Sequence, residues 1–343
     1  MRHLLATLFI VSEDVYLRTD NENVVMYRGE EVLQRRPLLG LENIISFSYK
    51  GASPGLMGEC AKRGIGMCFL SHHGRFLARV SGGAQGNVLL RKEQYRISDN
   101  ENTSTLYARN FIVGKLFNAH SLIKRLLRDH PFSMDKEKLE HSQSTLMQST
   151  RLAKVCENLE ELRGIEGNGA HCYFQVFEQL ILHNKETFSF TGRNKRPPLD
   201  PMNALLSFLY TLLANDCAGA LESVGLDAYA GFLHRDRPGR CSLALDLMEE
   251  LRPSVADRTA LYLVNNRMLT DKHFEKKENG AVYLNDVGRK IVLAEWDQRK
   301  HDKLQHPFLG EKIEWGLIPY AQALLLARCI RGDLEEYPAF LWK

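Results

Sequence analysis

The spacing of apolar residues changes once along the chain, and that change constrains the fold more than any other feature. Up to Val80 they come in short runs: Leu4–Val11, Val15–Thr19, Val24–Arg28, Ile44–Tyr49, Ile65–Leu70 and Arg75–Val80. Turn-rich Asp20-Asn21-Glu22-Asn23 and Ser71-His72-His73-Gly74 separate neighbouring runs, so these read as strands, the last two as a hairpin. One helix interrupts them, Ser53–Arg63, with Ser53 as N-cap and Pro54 at the first helical position. Beyond the glycine-rich Ser81-Gly82-Gly83-Ala84-Gln85-Gly86 the spacing turns helical. Phe111, Ile112, Leu116, Ile123, Leu126 and Leu127 mark one helix; Leu146, Leu152, Val155, Leu159 and Leu162 mark the next. Phe174–Ile181, Leu205–Leu213 and Leu243–Leu251 continue the pattern, with a short hairpin expected around Ala281–Leu284. The fold class is α+β. A small β-rich N-terminal domain, about residues 1–100, precedes a larger all-α C-terminal domain over 101–343.

Composition excludes several classes. The 343 residues are 44% hydrophobic and 25% charged, which is ordinary globular usage and enough for two cores. Lys+Arg 45 against Asp+Glu 42 leaves a net charge of +3, so a nucleic-acid surface would have to be local. The seven cysteines are odd in number and form no C-x-x-C pair, which fits neither a zinc site nor a disulfide framework. A reduced cytoplasmic setting is expected. Met1-Arg2-His3 before LLATLFIV looks like the front of a signal peptide, but Ser12-Glu13-Asp14 follow with no small-residue cleavage site. No apolar run approaches the roughly 20 residues of a membrane span.

Chemistry concentrates in Leu233–Pro253, LHRDRPGRCSLALDLMEELRP. His234 opens it, Arg235, Arg237 and Arg240 surround a Pro-Gly turn, and a helix follows with Ser242 as the expected N-cap. Asp246 and Glu249 stand at i and i+3 on one helical face, and Glu250 at i+4 could share it. Clustered carboxylates repel, so Arg252, solvent or a divalent cation must compensate them. An imidazole with carboxylates suits Mg²⁺ or Mn²⁺, and adjacent guanidinium groups suit phosphates. Glu166, flanked by glycines in Arg163-Gly164-Ile165-Glu166-Gly167-Asn168-Gly169-Ala170, reads either as a third carboxylate ligand or as a helix-start residue favoured by the macrodipole. Phe188–Pro201 contains SFTGRNKRPPLDP and reads as an exposed basic loop carrying Arg193, Lys195 and Arg196.

Gly164–Ala170, the run Pro198–Tyr210, LHRDRPGR and SLALDLMEELRP occur in this order in one family. The chain resembles the CRISPR-associated integrase/endonuclease, the larger protein of the spacer-acquisition pair, along its whole length. The resemblance implies a metal held by Glu166, His234 and Glu249, with Asp246 as a further ligand or as the group that orients one; Glu250 matches no ligand position. It implies metal-dependent transesterification, in which the 3′-hydroxyl of a captured DNA fragment attacks a phosphodiester at the edge of the first repeat in a CRISPR array. Duplex DNA is then the partner, with Arg193, Lys195, Arg196, Arg235, Arg237 and Arg240 as candidate phosphate contacts. Tyr173 and Tyr210 match tyrosines near the family's site, although Tyr210 also reads as a core aromatic with a polar tip. Asn203 reads as a helix-start residue. A homodimer through the β-rich domains is implied, with Leu4–Val11 and Ile65–Val80 at its seam, as is a heterohexamer with the small companion protein in a prokaryotic cytoplasm. Two other readings share parts of this evidence: a metal-dependent repair nuclease that does not integrate, and a non-enzymatic helical scaffold. A zinc hydrolase is disfavoured, since His72-His73 fall on a turn and no H-x-x-x-H pair is present.

Overall fold

The computed structural model describes residues 6–71, 74–80, 88–131 and 135–343, grouped in two compact units. Leu4 and Leu5 of the first expected strand, His72-His73, and Ser81–Gly86 lie outside the described residues.

The first unit opens with β1 (Ala6–Ile10), β2 (Tyr16–Asp20), β3 (Asn23–Arg28), β4 (Glu31–Pro37) and β5 (Leu41–Ser46), then α1 (Pro54–Arg63), β6 (Gly66–Leu70) and β7 (Phe76–Val80). One sheet has the order β1-β5-β6-β7, the other β2-β3-β4. Strands β5 and β6 pair in parallel, which demands a crossover, and α1 supplies it. That helix has the expected bounds. Ser53 Oγ accepts the Leu56 N–H at 3.2 Å, Pro54 starts the first turn, and Gly64 closes the end at φ 68°. Leu17, Val24, Ile44, Leu56 and Met67 are fully buried in its core. Within this unit sequence reading missed β4, EVLQRRP, in which every residue is exposed. No apolar alternation marks it because it covers no core; its pairing with β3 alone makes it a strand.

The second unit is built from α2 (Val88–Asp99), α3 (Glu101–Asp129), α4 (Lys136–Val155), α5 (Leu159–Val176), α6 (Pro201–Ser223), α7 (Ser242–Leu251) and α8 (Arg258–Asn265). A hairpin of β8 (Phe274–Lys276) and β9 (Val282–Leu284) follows, then α9 (Asp286–Lys300), a second hairpin of β10 (Lys303–Gln305) and β11 (Lys312–Glu314), and α10 (Ile318–Ile330). The expected boundary near residue 100 and the all-α second part are therefore revised. Helix α2 belongs to the helical unit, because Gln94 and Ser98 bond the carbonyls of Asp227, Ala230 and Gly231. Leu284–Lys303 and Glu314–Leu317 cluster with the strand unit, where α9 lies against β1.

The 29-residue α3 is the axis of the helical unit, capped by Asn100 on the Thr103 N–H. Two glycines set how closely its neighbours approach. A Cβ on Gly114 would stand 2.6 Å from Glu250 Cβ of α7, and one on Gly169 of α5 would collide with the Leu116 side chain. Both positions need glycine for close approach, and the residue after Gly114 is Lys115. Helix α6 is long and apolar enough to cross a membrane, but 67% of its most apolar stretch is buried inside the fold, as in a core helix.

Candidate active site

Helices α3, α5 and α7 converge on one ammonium group. Lys115 of α3 is 8% exposed and pairs with Glu166 of α5 and with Glu249 of α7, the latter at 2.7 Å. Buried lysines are rare without a partner, and this one has two. Glu249 is buried and receives a second cation, as Arg252 Nη1 lies 2.8 and 3.0 Å from its two oxygens. Burial alone would raise the Glu249 carboxyl pKa. Arg252 and Lys115 outweigh that and hold it well below the usual carboxylate range.

Glu166 lies in the middle of α5, which runs unbroken from Leu159 to Val176. It is not at a helix start, so the macrodipole reading does not apply. Of the three glycines beside it, Gly164 and Gly167 face open space, and only Gly169 is needed for packing.

His234 is held by Asp246. Asp246 has no exposed surface, and its carboxylate accepts the backbone N–H groups of Phe232, Leu233 and His234 at 2.6, 2.9 and 3.0 Å. Its Oδ1 also lies 2.6 Å from His234 Nδ1. An oxygen that is purely an acceptor here requires Nδ1 to carry the proton, which leaves the Nε2 lone pair free. All four acceptor positions of Asp246 are used, two by each oxygen. Asp246 and Glu249 share a helix but divide the work: one fixes the loop and its imidazole, the other faces Lys115. Arg163 Nη2 donates to the Leu233 carbonyl at 2.7 Å and ties this loop to α5.

The expected Ser242 cap is not formed. Cys241 holds the capping position with no side-chain hydrogen bond to the first turn, and Ser242 Oγ donates to the Arg235 carbonyl at 3.2 Å instead. Gly231 is obligatory here, because a Cβ would meet Ser242 and the His234 carbonyl below 3 Å.

Glu250 faces the other way. Its carboxylate accepts from Tyr337 Oη, from Gln322 Nε2 at 3.1 Å and from the Phe340 N–H at 2.8 Å. Asn118 binds the Glu250 and Phe340 carbonyls and accepts the Trp342 N–H, pinning the residues after Tyr337 against α7. Burial pushes the Glu250 pKa up to about 7 against those three donors.

Tyr173 and Tyr210 are both buried, and both hydroxyls donate to Asp257, at 3.0 and 2.6 Å. Tyr210 is thus a core aromatic with a satisfied polar tip, and Arg252 stacks on its ring at 4.2 Å. Asp257 ends a π-helical stretch, Arg252–Asp257. Among the basic candidates Arg193 is corrected. It is not presented on an exposed loop, because its guanidinium binds Asn203 Oδ1 at 2.6 Å and Ser207 Oγ at 3.0 Å. Phe188 and Phe190 are buried, so that segment is anchored at its start, and Asn203 organises its end. Lys195, Arg196 and Arg237 are exposed, and their side chains make no hydrogen bond or ion pair among the described residues. Arg235 pairs with Glu160 at 2.6 Å. Burial, then Arg237, lowers the pKa of Arg240, while Asp246 and Glu249 oppose this, so the turn's cations sense the carboxylates.

Among the described residues no three His, Cys, Asp or Glu side chains converge closely enough to coordinate an ion as they stand. The donor set still fits a hard cation: two carboxylates already share one positive charge, and an imidazole is oriented by a carboxylate through its other nitrogen. Sequence reading missed Lys115 and Asp257, whereas Arg252, one of the compensators expected for the acidic face, does pair with Glu249. Lys115 had a signal, since it falls on the stripe Phe111, Ile112, Leu116, Ala119, Leu122 and Ile123, all buried.

The family model for CRISPR associated protein Cas1 matches residues 8–298. The chain is 45% identical over 343 residues to CRISPR-associated endonuclease Cas1 1 of Chlorobaculum tepidum, covering all of both proteins. It shares its fold with a casposase solved bound to integration product (TM-score 0.84, 21% identity, 98% of this chain and 94% of that one). A Cas6-RT-Cas1–Cas2 complex contains a similar fold (TM-score 0.80, 21% identity, 100% of this chain and 36% of that one). A family match over most of the chain and an end-to-end relative at that identity leave one conclusion: the chain belongs to the Cas1 family of CRISPR-associated proteins.

Proposed function

We propose that this protein is a divalent-metal-dependent DNA endonuclease and integrase that inserts short foreign DNA fragments as new spacers into a CRISPR array. One observation carries the reading: Glu166 and Glu249, on different helices, share a single cation beside an imidazole that Asp246 holds by its Nδ1. The endonuclease name of the Chlorobaculum relative and the integration product bound by the casposase support the same reading.

Glu166, Glu249 and Nε2 of His234 would hold Mg²⁺ or Mn²⁺, which when bound supplies positive charge to a phosphate and eases deprotonation of the attacking hydroxyl. Asp246 keeps the imidazole in the tautomer that leaves Nε2 open. Arg252, anchored on Tyr210 above Asp257, fixes the rotamer of Glu249. Exposed Lys195, Arg196 and Arg237, with Arg240, receive backbone phosphates. In strand transfer the fragment's 3′-hydroxyl loses its proton and its oxygen bonds to the phosphorus at the repeat's edge, as the bond from that phosphorus to the 3′-oxygen of the flanking nucleotide breaks and that oxygen takes up a proton. One phosphodiester replaces another and no external energy is needed. With water as nucleophile the same site cuts. The partners are duplex DNA, a second copy of the chain in a homodimer, and the small companion adaptation protein in a heterohexamer, in a prokaryotic cytoplasm. The Cas1–Cas2 assembly among the similar folds supports the companion.

The test is strand transfer of a labelled duplex with free 3′ ends into a supercoiled plasmid carrying leader and repeat, with Mn²⁺ or Mg²⁺ and the companion protein. Joined product that disappears in Glu166→Gln is expected. Cutting without joining would assign the protein to repair instead.

A further inference from the structure

We infer that Lys115 stands in for the metal in the metal-free protein, and that a divalent cation binds by displacing its ammonium from between Glu166 and Glu249. This rests on the metal reading of those two carboxylates. Three observations lead to it. First, the ammonium is paired with both carboxylates at once and is almost fully buried, so it occupies the space between them. Second, the candidate ligands do not converge closely enough to coordinate an ion as they stand. The ammonium paired with both carboxylates already takes the place a metal ion would need between them. Third, the lysine can yield only through its side chain. Its backbone cannot retreat, because Gly114 is wedged against Glu250. Its side chain lines a small cavity of about 10 Å³ whose wall includes Asp257, Tyr210 and Tyr173. Rotation about the flexible four-carbon stem would carry the charge toward that wall.

Two properties follow. Without metal, Glu166 and Glu249 are neutralised rather than left as repelling neighbours, so the fold does not depend on the ion. Metal affinity is lowered in turn, since the ion must compete with a tethered cation.

The experiment is Mn²⁺ binding without DNA, by calorimetry and by thermal melting, on wild type, Lys115→Met, Lys115→Gln and Glu166→Gln after chelator treatment. Both Lys115 variants are expected to bind Mn²⁺ at least about tenfold more tightly than wild type. They should also melt lower than wild type in chelator and gain more on Mn²⁺ addition, because binding to the native state raises its stability. Should Lys115→Met not fold without metal, Lys115→Gln retains a hydrogen-bond donor and carries the comparison. Equal or weaker Mn²⁺ binding in a folded Lys115 variant would overturn the inference. Unchanged binding in Glu166→Gln would instead overturn the metal site itself, whatever the Lys115 variants do.

Discussion

Glu249 and Glu250 are neighbours on α7, both buried, and the structure gives them opposite surroundings. Glu249 faces two cations, Lys115 and Arg252, which hold it ionised. Glu250 faces only neutral donors, Tyr337, Gln322 and the Phe340 N–H, and burial lifts its pKa to about 7. One helical step thus separates a charged group suited to a cation from a group that fastens the C-terminal residues to the bundle. Burial does not decide a carboxylate's role; the charge of what it is buried against does.

The comparison is broken most severely through Glu166, which completes the cationic side. Glu166→Gln is expected to lower strand transfer and cutting by roughly a thousandfold, the scale of losing an essential group, while thermal unfolding stays near wild type. Glu249→Gln should match it, whereas Glu250→Gln should retain activity within about tenfold. Equal losses in the two would erase the distinction.

The next effect is in stability. Because the Glu250 pKa is raised in the folded state, its contribution is fully present below the unfolded value near 4.5 and is lost as pH rises through about 7. At about 1.4 kcal/mol per unit, up to about 3 kcal/mol is at stake. Urea unfolding from pH 5 to pH 8 should therefore show Glu250→Gln gaining on wild type as pH rises. Glu249 runs the other way: its lowered pKa gives stability present above the unfolded value and lost on acidification. A Glu250→Gln curve parallel to wild type would show that the donors, not burial, govern that site.

Smaller changes are expected at the rim. Neutralising Lys195 and Arg196 together should weaken DNA binding severalfold at moderate salt and flatten its salt dependence, by about 0.9 in slope for each phosphate no longer neutralised. An unchanged slope would make that segment a connector. Arg193→Ala should instead lower stability, since its guanidinium holds Asn203 and Ser207. The smallest effect belongs to the exposed pair Arg235–Glu160, worth less than about 1 kcal/mol; its removal should leave the unfolding midpoint almost unchanged.

What the sequence disclosed follows the same physics. The helix at Pro54–Arg63 was legible because its cap, first-turn proline and C-terminal glycine are local signals. Strand β4 was not, because its partner alone defines it. Residue spacing put Asp246, Glu249 and Glu250 on one face but could not rank them. Their ranking depends on α3, on the loop before His234 and on residues beyond Tyr337, all distant in sequence. Resemblance supplied Glu249; of the partners that explain it, Arg252 was among the compensators the sequence offered, and Lys115 comes from the packed structure. Lys115 was the most recoverable omission, as a lysine on an otherwise apolar stripe signals a buried charge needing a partner.

The most direct measurement is the anomalous diffraction of crystals grown with Mn²⁺. One peak bonded to Glu166, Glu249 and Nε2 of His234 is expected, with the Lys115 ammonium moved away and no peak at Glu250. Glu249 still paired to Lys115 and Arg252, with Mn²⁺ absent or bound only at exposed acids elsewhere, would contradict the account.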